Sequence, residues 1–465
     1  MWRSLIKYLL QIKLQLSDTS GTTPLIYAII INNINLVKIL IDSKVNIDDR
    51  NDLGWTALMI SSALGNIDIC KLLLENSAHI DLTCPMGMNA LAFAVSEGRK
   101  DVCELLLKYG SKDVRDIKGR SPLIIAAETG HEEVCELLLG AGSLTESRNY
   151  DGYTALMIAA HSGNAAVVQL LLEQKADINA STTRGWTPLL LAAKSGHLDV
   201  VQLVLQFECD KNARTGAGWN SLVLASAIGH STICKLLLDM GVEKNSRNND
   251  SLTALMLSSG GGHEDCVKVL INGRCDLDIT ETMLQYSALC FAAERGHSTI
   301  VEMLIDAGSN KEIITMNQQT PLILATIANH LDVVNTLLKA NANVNSLDSS
   351  NNTACHYACK NGNMEIAMQL LKHGAKINVT NTLNKTAIDM ALYNHHHRMW
   401  NYLKDEADNI YPNHIKDMNW NRRKHFLMFL KGYFANHSST NDESNLVIPK
   451  VFRDENICRV IAKYL

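Results

Sequence analysis

An all-α solenoid of stacked helix-turn-helix units with projecting hairpin loops is the fold class that the sequence predicts, and three observations predict it. A small polar residue opening a short apolar block recurs twelve times at a spacing close to 33 residues; a turn glycine follows most of the blocks; and a leucine-rich amphipathic stretch follows the glycine. Periods of about 20–50 residues mark repeats that cannot bury an apolar face alone and must stack to do so.

The blocks run Thr23-Pro24-Leu25, Thr56-Ala57-Leu58, Asn89-Ala90-Leu91, Ser121-Pro122-Leu123, Thr154-Ala155-Leu156 and Thr187-Pro188-Leu189, then begin again at Asn220, Thr253, Ser287, Thr320, Thr353 and Thr386. Ser, Thr or Asn can cap the free N–H groups of a helix start, and Pro is tolerated in the first turn. The short first helix ends near pairs such as Gly130-His131, Gly163-Asn164 and Gly196-His197, where glycine permits the positive φ of a tight helix–helix turn. Val134 to Leu139, Val167 to Leu172 and Ile233 to Leu238 place apolar residues at helical spacing and predict the second helix.

A polar connector returns the chain to the next block. Eight residues before the block stands Asp48, Asp81, Asp113, Glu146, Asn179, Asn212, Asn245, Glu312, Asn345 or Asn378, so that position wants a short polar side chain. Two residues before it, Gly54, Gly87, Gly119, Gly152, Gly185 and Gly218 suit a turn with unusual φ. Ser251, Gln285, Gln318, Asn351 and Asn384 replace that glycine later in the chain, which predicts looser loop tips there. One step of 32 residues loses its residue before Asp113 and one of 34 gains a residue after Asp278, both in the connector, where indels are best absorbed.

Together these residues resemble the ankyrin repeat, whose Thr-Pro-Leu-His-x-Ala pattern is approached most closely by Thr353-Ala354-Cys355-His356-Tyr357-Ala358. The resemblance covers about residues 5 to 405. It divides the chain into an N-terminal half repeat or cap (1–22), twelve ankyrin repeats (23–405) and a small helical C-terminal region (406–465). Within the last, Trp420 to Phe434 combines Arg422-Arg423-Lys424 with Phe426, Phe429, Leu430 and Tyr433. A polar linker follows, and then Pro449 and a segment that sets Ile457, Val460, Ile461, Tyr464 and Leu465 on one helical face. Two readings stand for this region: a cap closing the stack, or a partner-binding segment that looks a little like the opening of an F-box or SOCS box.

Composition narrows the function. Lys and Arg number 43 against 48 Asp and Glu, which leaves no global positive field for nucleic acid or a membrane surface. No apolar run approaches the length of about 18 residues that a membrane-spanning helix requires. Cys70, Cys103, Cys135 and Cys234 each stand five residues after a turn glycine, and His131, His197, His230, His263 and His297 mark one turn position. Packed helices lie about 8–10 Å apart, whereas zinc ligands lie about 2.0–2.3 Å from their ion and disulfide Cα atoms within about 7 Å. That spacing predicts buried reduced thiols, which suit a reducing compartment, and locally bonded imidazoles. Core packing is also expected for Cys355, His356 and Cys359, a solvated turn for His395-His396-His397, and an inter-helix turn for Gly260-Gly261-Gly262, which lacks a phosphate-binding Lys-Ser/Thr. No cofactor, metal or enzymatic centre is expected.

The resemblance implies a protein-interaction scaffold in the cytoplasm or nucleus, binding a protein partner on the concave side formed by loop tips and first helices. The residue before each block holds Trp55, Met88, Arg120, Tyr153, Trp186, Trp219, Leu252 and Tyr286, then Gln319, Asn352 and Lys385. Aromatic, Arg and Met side chains dominate interface energetics, so the first eight form a candidate binding ladder; covering the flank of the next loop is the equal alternative. A substrate adaptor recruiting ubiquitin-ligase subunits through the C-terminal segment is the second functional reading. Nothing in the residues fixes an oligomeric state.

Overall fold

In the computed structural model, residues 21–410 are described, and they alternate short and longer helices. First helices of seven or eight residues run from Pro24–Ile30 to Ala387–Tyr393, and second helices of nine residues from Ile34–Asp42 to Met364–Lys372; the last helix, His397–Ile410, has 14 residues. There is no strand among the described residues. The chain forms two compact units, residues 1–343 and 344–465. Among the described residues, ten helix pairs belong to the first and two to the second.

Helices this short are unstable alone in water, so their ends are fixed chemically. Thr56, Ser121, Asn220 and their equivalents accept the backbone N–H three residues on, each cap contributing about 1 kcal/mol. At Thr353 the hydroxyl pairs instead with His356 Nδ1 at 2.9 Å. Left-handed glycines close the first helices at Gly65, Gly130, Gly163, Gly196, Gly229, Gly262, Gly296 and Gly362. Of the triple-glycine run, Gly260 and Gly261 lie in the helix Ala254–Gly261 and Gly262 alone is the cap. The expected turn there is therefore one residue, because a single αL residue suffices to reverse the chain.

Burial follows position in the stack. First helices are enclosed by neighbouring first helices and by their own second helix, so Ala57 through Ala63 are all buried. Second helices bury one stripe, as with Val102, Cys103 and Leu106, and leave the rest in solvent.

Two rows of polar bonds join successive repeats. In the first row, the side chain eight before each block accepts a backbone N–H about one repeat on: Asp48 from His79, Asp81 from Lys112, Glu146 from Asp177, Asn179 from Asp210, Asn212 from Glu243, Asn245 from Asp276 and Glu312 from Asn343, all at 2.8–3.1 Å. Asp278 does the same for Asn310 at 2.9 Å, and within the second unit Asn345 for Lys376 at 2.8 Å. The preference for Asp, Asn or Glu is thus a demand for an acceptor. The row is interrupted at Asp113, where the shortened connector lacks the turn found in its neighbours.

In the second row a histidine after the left-handed residue, which is glycine except at Asn329 and His395, reaches back to the preceding repeat. His131, His197, His230, His263, His297 and His330 bond through Nε2 to the carbonyls of Ser96, His161, Lys194, Ala227, Gly260 and Glu294 at 3.0–3.3 Å, and His396 to Lys360 at 3.0 Å. These bonds link repeats and are not local, as the sequence reading had them. Gly163 shows the other half of the joint: a Cβ there would lie 2.5 Å from His197 Nδ1, so the glycine is required for room as well as for its φ of 81°.

The looser tips expected in the later repeats are not found. Ser251, Gln285, Gln318, Asn351 and Asn384 take φ of 54–62°, the same left-handed region as the glycines they replace. Ser251, Gln318, Asn351 and Asn384 keep the turn bond, with Gln318 N–H donating to Thr315 O at 2.8 Å as Gly54 does to Asn51 O. The extra residue after Asp278 sits at the tip, between Glu281 and Tyr286, whose N–H and C=O still close the hairpin at 3.1 Å.

The retained turn makes a testable asymmetry. A left-handed non-glycine residue costs about 1–2 kcal/mol, and glycine's extra chain entropy about 0.5–1 kcal/mol, so Gln318→Gly should raise the unfolding free energy by about 0.5–1 kcal/mol in urea titrations. Gly185→Gln should lower it by more, because its Cβ would meet Arg214 O at 2.8 Å.

Candidate functional site

Among the described residues the chemistry-bearing side chains are absorbed by packing. Cys70 bonds Ser61 Oγ at 3.3 Å inside its own repeat. Burial pushes the Cys103 and Cys135 thiols up to about 12, which keeps them protonated and poorly nucleophilic. His395 takes a φ of 63° and its ring lies 6.2 Å from that of His397, while the His396 ring turns back to Lys360 O. No group of three or more His, Cys, Asp or Glu is placed to hold a metal among the described residues.

His356 is the most committed of these groups. Its Nδ1 accepts the Thr353 N–H at 3.1 Å, and its Nε2–H donates to Lys385 O at 3.2 Å, so one neutral tautomer serves both bonds. Burial lowers its pKa, outweighing the pull of the Lys385 carbonyl and of Asp348 and Asp389 the other way.

The ladder before the blocks divides in two. Trp55 is 3% exposed, edge-on to Phe93 of the next repeat at 4.9 Å, and Met88 is buried as well. Tyr286, at 7% exposure, lies edge-on to Phe291 at 5.3 Å and donates its hydroxyl to Glu294 at 3.3 Å; burial and that carboxylate push its phenol up. Those three offer little surface. Between them, Arg120, Tyr153, Trp186, Trp219 and Leu252 are half-buried. Tyr153 and Trp186 rest on Met157, Ala180 and Leu191, and Lys194 Nζ stands 4.8 Å over the Trp186 ring. Arg120 is held flat by Asp116 Oδ2 at 2.7 Å from both Nε and Nη2, with Nη1 on the Glu128 carboxylate. Of the polar members, Gln319, Asn352 and Lys385 are half-buried too, and Lys385 Nζ lies 3.5 Å over Tyr393.

More exposed apolar side chains stand at the hairpin tips, which sequence reasoning did not single out. Tyr150 is 76% and Met283 74% exposed, with Leu53, Ile117, Leu284 and Met316 also in solvent. Tips are tied sideways through backbone, Ile117 N–H to Met86 O at 3.0 Å, Tyr150 N–H to Lys118 O at 3.0 Å and Met316 N–H to Leu284 O at 2.8 Å. Apolar residues three or four before the cap in otherwise polar loops were the available signal. The C-terminal candidates Pro449, Ile457, Val460, Ile461, Tyr464 and Leu465, and the basic segment 420–434, lie outside the described residues.

A family model of ankyrin repeats in three-copy units matches residues 3–84, 78–149, 141–215, 207–281, 274–348 and 322–414. The chain belongs to the ankyrin-repeat family. No curated protein matches it. Ankyrin repeats generally act as protein–protein interaction modules and the family is typically non-enzymatic. Among the described residues no helix is long and apolar enough to cross a membrane.

Two expectations follow. Trp55→Ala in the ankyrin array should cost about 3–5 kcal/mol as an emptied core site, and Tyr150→Ala less than about 0.5 kcal/mol, measured by denaturant unfolding. For His356, whose pKa is lowered from 6.5, the unfolded chain binds more protons as pH falls, so its stabilising effect is full above pH 6.5 and is lost progressively below it. Amide exchange over residues 354–361, corrected for intrinsic rate, should therefore speed between pH 7 and pH 5, and His356→Gln should flatten that dependence.

Proposed function

We propose that the chain is a non-enzymatic scaffold of the cytoplasm or nucleus that holds a protein partner across the concave face of its ankyrin array, centred on the repeats that carry Arg120, Tyr153, Trp186, Trp219 and Leu252. The observation that carries this reading is that these five consecutive anchor-type side chains are each half-buried, with Tyr153 and Trp186 resting on core residues and Arg120 held by Asp116 and Glu128. Such prepositioned aromatic and Arg groups lose little entropy on binding and are the residue types that dominate interface energy. The exposed tips Ile117 and Tyr150 extend the same surface. Trp55, Met88 and Tyr286 support it from the core. Buried reduced thiols favour a reducing compartment.

Affinity capture from host lysate with mass spectrometry tests the reading. Trp186→Ala and Lys194→Glu, made separately in protein whose melting is verified, should each weaken capture of a specific protein by about tenfold or more, since anchor truncation costs about 2 kcal/mol. Lys194 is exposed, so its reversal perturbs binding without the packing loss expected at Trp186. Unchanged capture by both variants, or loss of the partner from a chain ending at residue 405, would move binding to the C-terminal segment.

A further inference from the structure

The second helices Ser231–Asp239 and Glu264–Asn272 of adjacent repeats bring Cys234 Sγ to 4.0 Å from Cys266 Sγ, and neither side chain is exposed. The helix-spacing argument concerned cysteines that share one position in successive repeats, and Cys266 lies outside that column. Cys234 stands five residues after Gly229 but Cys266 four after Gly262, so the two thiols are staggered by one position and lean together. The Ser226 hydroxyl lies 3.2 Å from Cys234 Sγ. Cys234 can thus accept from both Ser226 O–H and Cys266 S–H, an arrangement that favours its thiolate and keeps the proton on Cys266. The Cys266 hydrogen bond lowers the Cys234 thiol against the effect of burial, and the same bond together with burial raises that of Cys266. With the Ser226 hydroxyl beside it, Cys234 is the thiol placed to attack and Cys266 the one placed to resolve.

We propose that Cys234 and Cys266 form a peroxide-sensitive dithiol that closes to a disulfide between the second helices of the seventh and eighth repeats. The Cys234 thiolate attacks one oxygen of hydrogen peroxide, the O–O bond breaks, and hydroxide leaves to give a sulfenic acid. Cys266 sulfur then attacks Cys234 sulfur, the S–O bond breaks, and the departing hydroxide carries away the Cys266 proton as water. Two thiols and one peroxide become one disulfide and two waters. Peroxide is little larger than water, so a brief local opening of one repeat admits it. The bond would close a loop of 32 residues and hold the eighth repeat's first helix, Ala254–Gly261, against its neighbours.

The test uses the intact reduced chain, treated with hydrogen peroxide at neutral pH without denaturant, then alkylated in denaturant and digested with trypsin. Cleavage separates Cys234 (residues 215–235) from Cys266 (248–268) and from Cys275 with Cys290 (275–295). The expected result is a loss of about 2 Da, one hydrogen from each thiol, and a 215–235/248–268 linked peptide that a thiol reductant separates. A higher urea midpoint after oxidation should accompany it. Cys234→Ser should abolish the link and Cys275→Ser should keep it. Linkage of 275–295 in its place, alkylation of both Cys234 and Cys266 as free thiols after treatment, or formation only in urea would each overturn the proposal. The wild-type peptide map decides even where a variant fails to fold.

Discussion

The register of the described array depends on a side chain in one repeat satisfying the backbone of its neighbour. Helices of seven to nine residues do not persist alone, and burial of Leu58 or Leu123 requires that the adjacent repeat be present and in register. The acceptor row from Asp48 to Asn345 and the imidazole row from His131 to His396 supply that register. Each such bond contributes only about 0.5–1.5 kcal/mol. Repeated at joint after joint, the bonds fix how one repeat meets the next, while apolar burial supplies the driving force.

The joint that breaks this pattern is instructive. Where the connector is one residue short, Asp113 makes no bond to the following repeat, yet the Arg115 guanidinium reaches the carbonyl of Arg148 and the hydroxyl of Ser147, at 2.7 Å for the latter. Arg50, Arg148 and Arg214 make the same carbonyl contact at other joints, at 2.7–2.9 Å. A second cross-loop tie is thus in place where the first is lost.

Much of the fold was legible in the sequence because it is dictated by chemistry at fixed offsets: a capping hydroxyl or amide, a left-handed residue and a helical apolar stripe each leave a mark at one position. The exposure of the candidate ladder was not legible, because it depends on pairs of residues about 38 apart, four past the next repeat's cap. Phe93 covers Trp55, whereas Leu191 leaves Tyr153 half open. The Cys234–Cys266 contact was hidden for a related reason. Axis-to-axis distances say how far backbones stand apart, not where staggered side chains end. The later tips were misread because a non-glycine residue was taken to loosen a left-handed turn, whereas the turn's hydrogen bonds hold it at an energetic cost.

The glycine and histidine of the inter-repeat joint belong to different repeats: Gly163 leaves the space that His197 fills. Copying or removing one whole period of the chain therefore carries one half of two joints and regenerates complete joints at the new boundary, so the array can lengthen or shorten by duplication without new contacts having to evolve. A lesion at one glycine is felt one repeat downstream. Arg99 and Asn164 donate to Ala63 O and Ala127 O in place of imidazole, so the seam accepts other donors without a change in its geometry.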